Sequence, residues 1–336
     1  MVMGTVNNRL IAIDIWRFLF ALLIVWHHIP WVDGAFHIMG WCPVSFFLII
    51  SGYLSANSNT TNIKKFYVRK FFRIFPIYWI CLIGSLILTI PIRSFWTIEN
   101  ISGIVKNIFM LQTYMPNESV DMYMNAPAWF LSVLVLFYFL LPLLQKLQRY
   151  SPDKFAVGVL MYFIAMVFIT WWGFDGKYAV RVNSPVIRLS ECMLGMVLAD
   201  KLRQVNMSRI HAYVSIVVLL LFLCLGKSLP MQYIRPYLAI PIMMYLCASF
   251  VNLNINRCKI VDYVLLGGGI GMEIYMFHNL IIIGLVRFAN IFKVDFPIWL
   301  KISIVYVLTI AIAYAYNKVV NPLIDKMQHK VLMSLK

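Results

Sequence analysis

Long apolar runs, broken by short polar or Pro/Gly connections, recur from one end of the chain to the other. A helix needs about 20 largely apolar residues to cross the hydrocarbon of a bilayer. Ten runs meet or approach that length, at residues 10–31, 39–55, 72–92, 126–144, 155–172, 185–202, 210–226, 234–251, 264–289 and 298–320. The stretch 98–111 is amphipathic and too short to cross, which suits a helix lying in the interface. The expected fold is therefore all-α, a polytopic transmembrane helical bundle of about ten spans, with residues 1–336 as a single integral-membrane domain.

Composition narrows the solvent. Of 336 residues, 62% are apolar and 12% charged, whereas a soluble domain is about a quarter charged. Too few polar residues remain to coat a globule, so lipid is the second solvent. No long polar segment interrupts the runs, and an appended soluble catalytic domain is not expected. The first run resembles a signal peptide in position only. It is long, it contains Asp14 and Arg17, and no small-residue cleavage site follows it, so it reads as a retained first span. The six cysteines have no paired metal spacing and read as small packing residues.

The net charge of +16 would suggest nucleic acid in a soluble chain. Here the basic residues sit in connections, where they act as topology signals, and no nucleic-acid partner is expected. With both termini on the cytoplasmic side, 18 of the 29 lysines and arginines fall on inner segments and nine on outer ones. That bias favours cytoplasmic termini. Its strongest contributor is KKFYVRKFFRIFP, where Arg69 and Arg73 are spaced i, i+4 and Lys65 lies a further turn back. Guanidinium forks at this spacing suit a polyphosphate; ordinary positive-inside anchoring is the other reading.

Ionisable residues at membrane depth cost at least about 2.5–3.5 kcal/mol on insertion scales, so each points to function by default. The first span holds Asp14, Arg17, His27 and His28. Arg17 and His28 lie about 20° apart around the helix and roughly 16 Å apart along it, on one face. Asp14 is a turn before Arg17 and can neutralise it. That face reads as a substrate pathway; a simple ion pair with an anchoring histidine is the alternative. His27 points about 100° away and reads as structural. Arg188 and Glu191 are one turn apart and fit either a structural ion pair or a catalytic role. Glu273 and His278 sit about 140° apart on their helix, and His278 fits a buried helix histidine or a supporting group. Gly267, Gly268, Gly269 and Gly271 lack the strand-to-helix context of a phosphate loop and suit close helix packing.

Taken together, six segments resemble the membrane acyltransferase-3 family. DIWRFLFALLIVWHH is similar to its first-helix motif, with Arg17 and His28. PVSFFLIISGYL matches the Ser-Gly-Tyr/Phe-Leu pattern at Ser51, Gly52 and Tyr53, and the basic stretch leads into Pro76, Tyr78 and Trp79. Further blocks fall at Trp129, Ser132, Tyr138 and Pro142, at Arg188, Glu191 and Gly195, and at Tyr275 and His278. Two departures stand out: Asn321 replaces a glutamate common before the final proline, and VLV follows Ser132 in place of Val-Glu-Glu.

The resemblance implies transfer of an acyl group, by default acetyl from acetyl-CoA, to a hydroxyl of a cell-surface glycan or its lipid-linked precursor. O-antigen, capsule or exopolysaccharide units are the implied acceptors, and the bacterial inner membrane the implied location. Acyl-CoA is then a donor substrate, and no permanently bound cofactor or metal is implied. His28 would act as general base or transient acyl carrier, and Arg17 would stabilise an oxyanion or hold a phosphate. Arg69, Arg73 and Lys65 would meet the donor, with Asp14, Arg188, Glu191 and His278 in support. A transporter or flippase for a polar or lipid-linked substrate is the competing class; it accounts for intramembrane charge but not for the ordered motifs.

Overall fold

In the computed structural model, residues 4–32, 41–89, 98–114, 124–173, 183–202, 205, 207–225, 235–251, 253 and 258–335 are described. Thirteen α-helices account for nearly all of these, with no strand among the described residues. They are α1 Gly4–His28, α2 Trp41–Ser55, α3 Ile63–Thr89, α4 Ile98–Ile108, α5 Trp129–Tyr150, α6 Pro152–Gly173 and α7 Pro185–Lys201. The series continues with α8 Arg209–Leu225, α9 Arg235–Val251, α10 Lys259–Gly269, α11 Gly271–Phe292, α12 Ile298–Val319 and α13 Asn321–Ser334. The 310 turn Ala126–Ala128 leads into α5.

Six of the described helical segments are long and apolar enough to cross a membrane, and Cys42–Ser55, Arg209–Leu225 and Pro236–Val251 are shorter apolar helices. The bundle perimeter agrees. On α6 the exposed residues Val157, Leu160, Met161, Ile164, Phe168, Trp171 and Trp172 recur at helical spacing as an apolar stripe. Polar groups such as Ser45, Ser132, Arg188, Glu191 and His278 are instead buried. That inversion defines a multi-pass membrane protein.

α7 coincides with the run expected at 185–202 but carries Arg188 and Glu191, each nearly inaccessible at 3% and 1%. It packs among α2, α5 and α6, which screen it from lipid. Its crossing with α2 is backbone against backbone. A Cβ on Gly52 would lie 1.8 Å from Cys192 O, and one on Gly195 would lie 2.0 Å from Ile49 O. Two glycines from separate motifs thus form one contact, the small-residue device that lets membrane helices approach closely.

The run expected at 264–289 is not one helix: it divides at Ile270 into α10 and α11. Glycine disfavours helix continuity by about 1 kcal/mol per residue, and the glycines serve packing instead. A Cβ on Gly268 would meet Asp14 O at 2.5 Å, so α1 lies directly on α10. The amphipathic helix expected at 98–111 forms as α4, ending at Ile108. Tyr78 and Trp79 clip its last turn to α3: the Tyr78 hydroxyl donates to Asn107 O at 2.6 Å and Trp79 Nε1 to Ile108 O at 3.1 Å. The Trp79 bond satisfies a carbonyl that the helix end leaves open, and the Tyr78 bond is a second one on a carbonyl already bonded to Met110 N.

Candidate active site

A cavity of about 790 Å³ opens at the end of the bundle formed by the start of α3 and by α13. Four cations line it: Arg17 from α1 and Arg69, Lys70 and Arg73 from α3. Two carboxylates, Glu273 and Asp325, face them. One turn of α3 brings Arg69 and Arg73 to the same side, as their i, i+4 spacing requires. Lys70 Nζ sits 3.9 Å from the centre of the Tyr138 ring, so its charge rests on an aromatic face. Arg17 Nη1 pairs with Asp14 Oδ1 at 3.0 Å, both side chains being about a quarter exposed at 27% and 28%. The opposite wall is fixed by amides. Asn321 Nδ2 donates to Glu273 Oε1 at 2.9 Å and Asn317 Nδ2 to the same oxygen at 3.4 Å. Gln328 Nε2 donates to Arg69 O at 3.3 Å, tying α13 to α3.

The inner end of the cavity is formed by Phe130 and Tyr275, whose rings meet edge-on at 5.3 Å. The Tyr275 hydroxyl donates to Pro127 O. Behind Tyr275 lie two histidines. The His278 ring is 5.9 Å from that of Tyr275 and 4.9 Å from that of His28. His28 Nδ1 lies 2.8 Å from Ile24 O and His278 Nδ1 lies 2.7 Å from Tyr275 O. A carbonyl oxygen only accepts, so each Nδ1 carries a proton, and in the neutral form of each ring the lone pair lies at Nε2. Both imidazoles are therefore held in the tautomer of a general base.

Arg188 and Glu191 lie off the cavity. Arg188 Nε is 2.7 Å from Glu191 Oε1, its Nη2 donates to Ser45 Oγ at 3.3 Å, and its guanidinium stacks over Trp129 at 5.2 Å. They form a buried ion pair. Of the residues marked in the sequence, then, the cavity gathers Arg17, Arg69, Arg73 and Glu273 with the motif residues Ser51, Tyr138, Tyr275 and Asn321, while His28 and His278 meet one helix turn beyond it. Lys65 does not line the cavity; it lies in the first turn of α3, where its backbone N–H donates to Asn62 Oδ1 at 3.0 Å. Lys70 takes the place expected of Lys65. At 100° per residue Lys70 is about 60° from Arg73 and within one turn of it, whereas Lys65 is roughly 12 Å away along the axis. That difference was available in the spacing. Asn317, Asp325 and Gln328 carried no signal beyond their polarity, and the contact of Asn321 with Glu273 is visible only once α12 and α13 are folded against α11.

A cationic cavity with a histidine pair one helix turn beyond its Tyr275 wall, inside a helical bundle, is an arrangement suited to group transfer. A family model described as an acyltransferase domain matches residues 10–318, and the chain belongs to that family, the membrane acyltransferase-3 family. It is also similar to Acyltransferase MdmB of Streptomyces mycarofaciens, with 27% identity over 188 residues. That alignment covers 49% of this chain and 47% of the relative, so it spans about half the length of each. No solved structure matches the chain.

Proposed function

We propose that the protein is a membrane O-acyltransferase. It moves an acyl group, acetyl by default, from cytoplasmic acyl-CoA to a hydroxyl of a cell-surface glycan or its lipid-linked precursor. In this reading the chain is one domain in a bacterial inner membrane. The six long helices, the three shorter apolar ones and the screened α7 make ten crossings, and both termini are cytoplasmic. The observation that carries the reading is the alignment of the Arg17/Arg69/Lys70/Arg73 cavity with the His278–His28 pair behind Tyr275.

The donor phosphates meet Arg69, Arg73 and Lys70, where the guanidinium forks grip paired oxygens. Arg17 lies about 16 Å along α1 from His28, too far to touch an oxyanion formed beside that histidine, so its role is to hold the donor. The acyl end passes Tyr275. His28 Nε2 then takes the proton of the acceptor hydroxyl as its oxygen attacks the thioester carbonyl. The C–S bond breaks, the thiolate leaves and takes up a proton, and an ester remains on the acceptor. His278, packed on His28, holds the ring in place, and Arg188–Glu191 braces α7 against α2.

The test is chemical. Cells that carry the chain should bear acyl esters on a surface glycan, and His28→Ala should lower the rate of ester formation by about 10²–10⁴-fold, the usual contribution of a general base. Identical mass and proton spectra for the wild-type and His28→Ala glycans would sink the proposal. A transporter would instead move substrate into vesicles with no acyl-CoA present.

A further inference from the structure

The described residues between α4 and α5, 109–114 and 124–128, bring buried polar side chains that the described residues leave unsatisfied. Their depth follows from α3 and α11, which run side by side in the same direction. A Cβ on Gly84 would touch Leu280 and one on Gly284 would touch Leu88, the same offset of 196 residues at both points. That offset puts Tyr78 level with Ile274, a residue from Tyr275. Tyr78 holds Asn107 and lies beside Gln112, while Tyr275 holds Pro127 two residues after Asn125. Both stretches therefore lie at the level of Tyr275, one helix turn before His278.

Gln112, Thr113 and Asn125 are buried there at 2%, 2% and 3% exposure. Both amide atoms of Asn125 and the Thr113 hydroxyl lack a hydrogen-bond partner among the described residues, and so does His278 Nε2, while the Gln112 amide has only the Tyr78 hydroxyl beside it. Buried polar groups in folded proteins are nearly always partnered, because an orphan forfeits its hydration without recompense. Other buried amides here obey that rule. Gln145 Nε2 donates to Ser55 O at 2.8 Å and its Oε1 accepts from Thr60 Oγ1 at 2.5 Å. Gln148 Nε2 donates to Met196 O at 2.9 Å, and Asn107 Nδ2 to Gly103 O at 2.9 Å. Among the described residues, the buried amides without a full set of partners are Gln112 and Asn125, both at the level of Tyr275.

We infer that Gln112, Thr113 and Asn125 form the acceptor subsite and bind the hydroxyls of a neutral sugar. This rests on the acyl-transfer reading above. Amides and hydroxyls each donate and accept, as sugar hydroxyls do, so one ring can satisfy several of these atoms at once. A neutral ligand is the better match, because the unsatisfied groups carry no charge and Arg188, the buried cation near Tyr275, is already bound by Glu191 and Ser45. His278 Nε2 completes the layer, next to His28, where the reacting hydroxyl must lie.

Apolar isosteres separate this role from a structural one. Removing an orphan amide from the interior relieves its desolvation, so Gln112→Met and Asn125→Leu should leave the unfolding temperature equal or raised. The full chain in lipid nanodiscs should bind radiolabelled acetyl-CoA with affinity within about twofold of wild type, since these residues lie away from the donor charges. In cells that carry the chain, ester on the surface glycan should fall at least about tenfold for each variant, the loss expected from one specific hydrogen bond. Wild-type ester levels, a lowered unfolding temperature or weakened acetyl-CoA binding would each overturn the assignment. A wild-type chain that neither binds acetyl-CoA nor esterifies glycan overturns the acyl-transfer reading and this inference with it; normal transfer by the isosteres defeats this inference alone.

Discussion

The two halves of the bundle handle buried charge in opposite ways. Where α2 crosses α7, glycine lets the backbones touch, and the charges present, Arg188 and Glu191, are locked into one another. Where α1, α3, α11 and α13 meet, they surround the 790 Å³ cavity, with two carboxylates in its lining. There Arg69 and Arg73 are exposed, Lys70 rests on Tyr138 and Arg17 is paired with Asp14. Breaking a buried pair leaves an uncompensated charge and costs about 3–5 kcal/mol, so the tight half tolerates charge only as a closed unit. The open half keeps charge that a ligand can use. The scaffold is rigid on one side so that the other can remain incompletely packed.

The sharpest way to break this contrast is to force the tight half apart. Gly52→Ala and Gly195→Ala each place a Cβ within 2.0 Å of a backbone oxygen, and backbone cannot move aside as a flexible side chain can. Overpacking usually costs about 1–3 kcal/mol and more where no relaxation is available. Either variant should therefore yield little monodisperse protein, as read by size-exclusion chromatography of a fluorescent fusion. A wild-type yield and unfolding temperature for both would show that α2 and α7 are not held at backbone contact.

A smaller effect is expected in the open half, where substitution should cost function and spare the fold. Charge-assisted hydrogen bonds contribute about 1.5–3 kcal/mol each, so Arg69→Gln with Arg73→Gln should weaken acyl-CoA binding by at least about tenfold. Unfolding temperature should be unchanged, because both side chains are exposed. Lys65→Gln, outside the cavity, should stay within about twofold, the effect of a solvated charge. Raising the salt concentration should weaken binding to wild type more than to the double variant, since salt screens these charges. Equal affinity in all three proteins would reduce the arginines to topology anchors.

Much of this division could be read from the chain before folding, and the unread part has a common cause. Apolar run length locates helices well, and α4 and α12 begin at the residues expected. Angular spacing puts Arg17 and His28 on one face and Arg69 with Arg73. Periodicity reports which face of a helix is polar, though, and not which helix that face will meet. Hence the His28–His278 contact, the Asn321–Glu273 bond and the bond from Tyr275 to Pro127 are not legible in the sequence. The break at Ile270 was missed for a related reason: an apolar run hides glycines whose function is to admit α1. Lys65 shares a face with Arg69 but lies outside the cavity that Lys70 lines, since a face says nothing of distance along the axis.

The weakest perturbation tests whether glycine as such, or what it touches, sets the contrast. Gly158 lies in α6 with nothing within 4 Å of the position its Cβ would occupy. Adding that methyl group meets no atom and removes the backbone freedom that makes glycine a poor helix residue, so Gly158→Ala should stabilise by at most about 1 kcal/mol. The unfolding temperature in nanodiscs should be equal to or slightly above wild type, with ester formation unchanged. If Gly158→Ala were as damaging as Gly52→Ala, the tight crossing would lose its special standing, because sensitivity would follow glycine wherever it occurs. A harmless Gly158→Ala beside an unfolded Gly52→Ala assigns the effect to the Cys192 backbone, against which α2 has no room to grow at Gly52.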